Sequence, residues 1–152
     1  MILAAYKGTR PGVAGLYNRL GRYIGQGPYS HSELVFPEVG GISWSSSYMD
    51  GGVRGKLIGY STQSAWDFFE IPKTFSHQRA LDYSHEREGW GYDVRGNFRF
   101  GIAIAVPSDS KHKLFCSEHN AESLGLPDAY KLDPCLLVSL ALYLGAKQMS
   151  YP

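Results

Sequence analysis

Two cysteines and five histidines bound the nucleophilic chemistry open to this chain. Cys116 ends a short apolar run in LFCSEHNAESLG, where a helix is expected to start. Unpaired backbone N–H groups and the positive end of the helix dipole stabilise a thiolate there, which suits a nucleophile. The plainer alternative is a small buried hydrophobe, the commoner fate of a lone cysteine. Cys135, inside DPCLLVSLALYLG, has no base or turn beside it and is expected to pack. With only these two cysteines a disulfide framework is not expected, and each is read as a thiol.

A thiol nucleophile needs a base, and the choices are His31, His77, His85, His112 and His119. Only His31 falls on a convincing strand. In SHSELVF the period of two places His31, Glu33 and Val35 on one face and Ser32, Leu34 and Phe36 on the other. Residues i and i+2 lie about 7 Å apart along a strand, so Glu33 orients the His31 ring only by folding back, or both point into one cleft. The alternative is an edge strand whose polar residues face water. His112, Cys116 and His119 form an H-x3-C-x2-H cluster, but it lacks a fourth ligand and the usual zinc spacing. Neither a metal nor a cofactor is expected. RGNFRFG at 95 to 101 is weak as an RNA-binding strand, because Asn97 stands where that motif needs an aromatic.

The elements that must position these groups are short. Ile2 to Tyr6 is an apolar first strand, followed from Pro11 by a helix with Val13, Leu16, Tyr17, Leu20 and Ile24 on one stripe, broken at Gly25-Gln26-Gly27-Pro28. SHSELVF and the segments 41 to 49, 53 to 58 and 66 to 71 predict a run of antiparallel strands. A helix is expected over 76 to 88, starting at Ser76. Another is expected from Ser117 to Leu124, closed by Gly125, and a buried Leu-rich one follows the Asp133-Pro134 cap. Phe98 to Val106 reads equally as a buried strand or as a loop and helix. No internal repeat or composition break divides the chain, so residues 1–146 are read as a single domain and 147–152 as a loose C-terminal tail.

The whole chain has 152 residues, 15 Lys plus Arg against 14 Asp plus Glu, and a net charge of +1. With 43% hydrophobic residues it can bury a core without staples, which excludes intrinsic disorder. The 18 glycines argue for many tight turns and against a helical bundle. No block of like charge stands out, so nucleic acid is not an expected partner. The longest apolar run, around Leu136 to Ala146, is far short of the ~20 residues of a membrane-spanning helix. The N-terminus lacks the basic region and cleavage site of a signal peptide, so synthesis into the cytoplasm is expected.

The order of the pieces carries more than any one of them: a strand, a helix, YSHSELVF, SWSSSYMDGGVR, GWGYDVRGNF and LFCSEHNAESLGLP. It resembles the circularly permuted NlpC/P60 group of papain-like cysteine hydrolases, of the YiiX type, in which the histidine strand precedes the cysteine helix. The resemblance covers most of the chain. His31 matches the family histidine in its SH-x-E/G-hydrophobic strand, Cys116 the nucleophile of its hydrophobic-CSE helix start, and Tyr92-Asp93 a YD step ahead of the cysteine. The family often carries a Glu in the strand after the histidine. Here that stretch is Trp44-Ser45-Ser46-Ser47, which makes Ser46 a candidate and Glu33 the substitute for orienting the imidazole.

What the resemblance implies is an α+β fold with an antiparallel sheet and packed helices, in which Cys116 faces His31 across a cleft. It implies a cysteine peptidase or amidase whose catalytic residues are Cys116, His31 and Glu33, with Tyr92, Asp93 and Ser46 on the substrate side. The implied substrate is a peptide or muropeptide-like amide or isopeptide, with acyl esters and lipids, or a non-catalytic binding module of the same fold, as the alternatives. Such chains often come from tailed phages, which would place their action at a cell wall. Tyr48, Trp90 and Tyr92 are expected to line the cleft.

Overall fold

A computed structural model of the chain describes residues 1–60, 62–98 and 112–151. Strand β1 (Ile2–Tyr6) leads into α1 (Gly12–Ile24), then β2 (His31–Phe36), β3 (Ile42–Ser47), β4 (Gly52–Leu57) and β5 (Trp66–Glu70). Helix α2 (His77–Glu86), the short β6 (Gly91–Tyr92), α3 (Val94–Phe98) and β7 (Lys113–Leu114) precede α4 (Cys116–Ser123), α5 (Pro134–Tyr143) and β8 (Lys147–Met149). The fold is α+β. One mixed sheet runs in the order β7-β6-β4-β3-β2-β1-β5-β8, antiparallel except for the β6–β7 pair.

Strand β1 shows why this sheet needs cover on both sides. Its alternating residues are all apolar and buried: Leu3 and Ala5 join Leu34, Phe36 and Trp44 in the larger cluster, while Ile2 and Ala4 join Val35, Trp66 and Phe68 on the opposite face. A central strand buried on both faces reads as a continuous hydrophobic run rather than as an alternation. The larger cluster is closed by Leu137, Val138 and Ala141 of α5 and Ala121 of α4. Helix α4 lies across β2 and β3, with α2 and α5 beside it.

The helix starts are those the caps predict. Ser76 Oγ accepts the Arg79 N–H at 3.2 Å, and the Asp133 carboxylate accepts from Cys135 and Leu136 at 2.7 and 3.0 Å. Three expectations are corrected. The tail is not loose where Lys147–Met149 adds to the free edge of β5, and Met149 and Tyr151 cover the second apolar cluster. The sheet is not wholly antiparallel, because β6 and β7 run parallel, and two-residue strands are too short to show any period. Only one face of the Leu-rich α5 is buried, leaving Leu136 and Leu142 exposed. Of the stretch Phe98 to Val106, residues 99–106 lie outside the described residues.

The largest departure is α1. Its apolar stripe does not supply the face turned inward: the residues the helix buries are Gly15 and Asn18. The inward face is held by polar contacts: Asn18 donates to Ser30 Oγ at 3.1 Å and accepts from the Arg10 N–H at 3.2 Å, while Arg22 caps the carbonyls of Lys7 and Gly8. Gly15 lies so close to the Arg10 carbonyl that any Cβ would collide with it. The inward side is thus small and hydrogen-bonded, and the stripe points away.

Candidate active site

His31 is the first residue of β2 and pairs with Tyr6 of β1, in a register fixed by the Ser30 N–H donating to the Tyr6 carbonyl at 2.9 Å. Its Nε2 lies 2.8 Å from Glu33 Oε1. The glutamate does fold back along the strand, bringing together two side chains two residues apart on one face. Glu33 is 1% exposed. A carboxylate buried so deeply needs partners, and besides His31 it takes both arms of one guanidinium: Arg54 Nη2 to Oε1 at 2.6 Å and Arg54 Nη1 to Oε2 at 2.7 Å.

Arg54 comes from β4, two strands away, and what lets it cross is the serine run of β3. Ser45 pairs with Arg54 and follows Trp44, which pairs with Leu34, so the same register sets Ser45 level with Glu33. Its small side chain turns back to the Ser32 carbonyl at 2.7 Å and leaves the passage open. Beyond Arg54 the charges go on alternating. Arg54 Nε donates to Asp50 at 2.8 Å, and Lys56 Nζ reaches both Asp50 oxygens at 2.7 and 2.8 Å.

Cys116 opens α4 and is buried, 1% exposed, beside the His31 ring. Burial disfavours the imidazolium. The charge of and hydrogen bond with Cys116, then the hydrogen bond and charge of Glu33, outweigh burial and raise the His31 pKa to about 9. Burial likewise opposes ionisation of Glu33, but the hydrogen bonds and charges of Arg54 and His31 lower its pKa to about 2. His31 therefore keeps its proton, and Glu33 its charge, at neutral pH.

These shifts fix a pH dependence of stability. A histidine raised from 6.5 to about 9 contributes stability that is complete below 6.5 and lost as the pH rises through 9. A glutamate lowered from 4.5 to about 2 contributes stability present above 4.5 and lost as the pH falls through 2. The excess stability of wild type over His31→Gln, from urea midpoints, is therefore expected to fall between pH 6.5 and 9. An excess unchanged across that range would rule out the charged ring.

The other expected site residues have separate tasks. Ser46 is fully buried and does not line the groove; its hydroxyl donates to the Leu114 carbonyl at 2.6 Å, and the Asp93 N–H reaches the same carbonyl at 3.1 Å. Together they fix the strand end two residues before Cys116. The Asp93 carboxylate is buried and accepts the Gly96 N–H at 2.9 Å at the start of α3. Tyr92 stands at the site itself. Burial first, then the charges of Cys116 and Tyr17, hold its phenol well above its ordinary pKa, so it stays protonated.

A groove of about 540 Å³ opens over His31, between α1, Tyr92 and the turn after β3. Tyr17, Tyr48 and Tyr92 form its aromatic wall, with Tyr17 stacked on Tyr48 at 5.7 Å and Tyr48 edge-on to Tyr92 at 5.9 Å. Trp90, expected in this wall, lies instead against His112 at 4.9 Å and Arg87 at 5.1 Å. Arg10 brings a cation to the lining, and Ser47, not Ser46, faces it from β3.

The H-x3-C-x2-H cluster does not assemble. His112 is against Trp90, and His119 is buried beside Asn120, where burial above all lowers its pKa to about 4. Among the described residues no three His, Cys, Asp or Glu side chains group so as to hold a metal ion. Sequence reasoning missed Arg54, the partner of Glu33, and Tyr17. The signal for Arg54 was the serine run opposite it. No model of a known protein family matches the chain, and neither does any curated protein.

Proposed function

We propose that the chain is a cysteine hydrolase of the permuted NlpC/P60 type that cleaves an amide or isopeptide bond. The observation that carries this reading is the series Cys116, His31, Glu33, in which a thiol at a helix start adjoins an imidazole held by a buried carboxylate. In the first step the Cys116 thiolate attacks the acyl carbon and its sulfur forms the thioester. The imidazolium of His31 gives its proton to the departing amine. The positive end of the α4 dipole, at Cys116, stabilises the developing oxyanion. His31, now neutral, takes a proton from water, whose oxygen attacks the thioester; the thiolate leaves as the acid forms, and His31 keeps the proton, which restores the starting pair.

A peptidoglycan-type peptide fits this groove because Arg10 offers a cation to a substrate carboxylate while the tyrosine wall accepts an apolar or planar portion. Incubation with digested cell wall, followed by fragment masses, tests it: new fragments mark the cleaved bond. Unchanged fragments together with a reactive Cys116 would reject the peptide and leave an acyl ester or lipid, for which the apolar share of the lining speaks.

Thiol mapping separates the enzyme from a binding module of the same fold. Cys135 Sγ donates to the Tyr29 carbonyl at 3.4 Å, and burial raises its pKa, so it reacts slowly with iodoacetamide at neutral pH. Cys116 is expected to be alkylated at least ~10-fold faster despite its burial, because it opens a helix beside the His31 ring. Faster labelling of Cys135 would reverse the assignment.

A further inference from the structure

The outward stripe of α1 has no cover within the described chain. Val13, Leu16, Leu20 and Tyr23 recur at three-to-four spacing along about 15 Å of helix, and Leu16 is 68% and Tyr23 83% exposed. Apolar residues grouped in this way on a surface mark a contact. The surface continues to the groove, which Val13 of α1 lines together with the exposed Met49 and Val94.

Charge indicates which contact. From Met1 to Ser32 the chain carries Lys7, Arg10, Arg19 and Arg22 and no Asp or Glu. These bases are spread out, so no basic run appears in the linear sequence, but the fold gathers them on and around α1. Lys7 is paired with Asp67 and Arg22 is turned to backbone carbonyls, whereas Arg10 and Arg19 are exposed. An apolar stripe bordered by arginines is the pattern of a helix lying in a membrane interface. A second copy of the chain fits less well, because a two-fold contact would set this acid-free helix against itself and bring like charges together.

We propose that the chain docks on anionic lipid surfaces through Leu16, Leu20, Tyr23 and Val13 of α1, with Arg10 and Arg19 at the headgroups and the groove mouth turned towards the bilayer. Docking needs no catalysis, so it stands or falls separately from the hydrolase reading. Helix α1 lies on the surface and crosses nothing; no helix among the described residues is long and apolar enough to span a membrane.

Sedimentation with vesicles of equal parts phosphatidylcholine and phosphatidylglycerol is the test. Wild type and Cys116→Ala are expected to bind these vesicles alike, and phosphatidylcholine alone only weakly, with binding reduced by salt. Arg19→Gln is expected to bind about fivefold more weakly, the effect of one base at an anionic surface. The double change Leu16→Ser and Leu20→Ser is expected to bind at least ~30-fold more weakly. Arg19, Leu16 and Leu20 are exposed, so the melting temperatures of these two variants should stay near wild type. Failure of wild type to sediment, or equal binding by Arg19→Gln and the double variant, would overturn the proposal. So would a dimer in light scattering that the double variant abolishes, which would give the stripe to a second copy.

Discussion

If the chain is the proposed hydrolase, Cys116→Ala is expected to lower the rate of muropeptide cleavage by at least ~10³-fold while leaving substrate binding nearly intact, because it removes the atom proposed to form the acyl bond. His31→Ala should cost about as much, and the double variant little more, since nucleophile and base act as one unit. The substitutions are separable from unfolding: Cys116 to Ala is a small truncation, and His31 stands at the edge of its strand with 16% of its side chain exposed. Removing the sulfur should also leave a mark on His31. Without Cys116, the first of the influences that raise its pKa is gone, and burial pulls the pKa down from about 9. An NMR titration of the ring in Cys116→Ala reads this directly. A variant that keeps full activity, or a ring that titrates as in wild type, would remove Cys116 from the mechanism.

Arg54→Met is expected to destabilise the fold by about 3–5 kcal/mol, the cost of leaving a buried charge without its partner. Glu33 is left with His31 to offset its desolvation, and Asp50 keeps Lys56 and Ser47. Melting should fall by ~10 °C in a domain of this size, well beyond what loss of an exposed ion pair does. Adding Glu33→Leu to Arg54→Met should recover much of the stability, because both charges then leave the interior together. Activity should not return, since His31 has lost the carboxylate that orients it. That split between stability and rate distinguishes a positioning role from a purely structural one. If Arg54→Met melts within ~1 °C of wild type, Glu33 is not held as its contacts imply.

What the sequence determined by itself is what neighbouring residues decide together. The period of two in SHSELVF set His31 and Glu33 on one side of a strand, and that is where they meet. The step from an apolar run to CSEH set Cys116 at a helix start, and the caps at Ser76 and Asp133 set two more helices. These features depend on spacings of two to four residues, over which backbone geometry leaves little choice. The tertiary structure decided what depends on distant segments. Arg54 reaches Glu33 only because Ser45 lies between their strands, and the Leu114 carbonyl before Cys116 is held from Ser46 and Asp93. Residues 147–149 became a strand because β5 had a free edge. The stripe of α1 was legible as a stripe, but its direction was not. A hydrophobic period says that one face differs from the other; the polar ties of Asn18 and Arg22, made to residues outside the helix, chose which face turned inward.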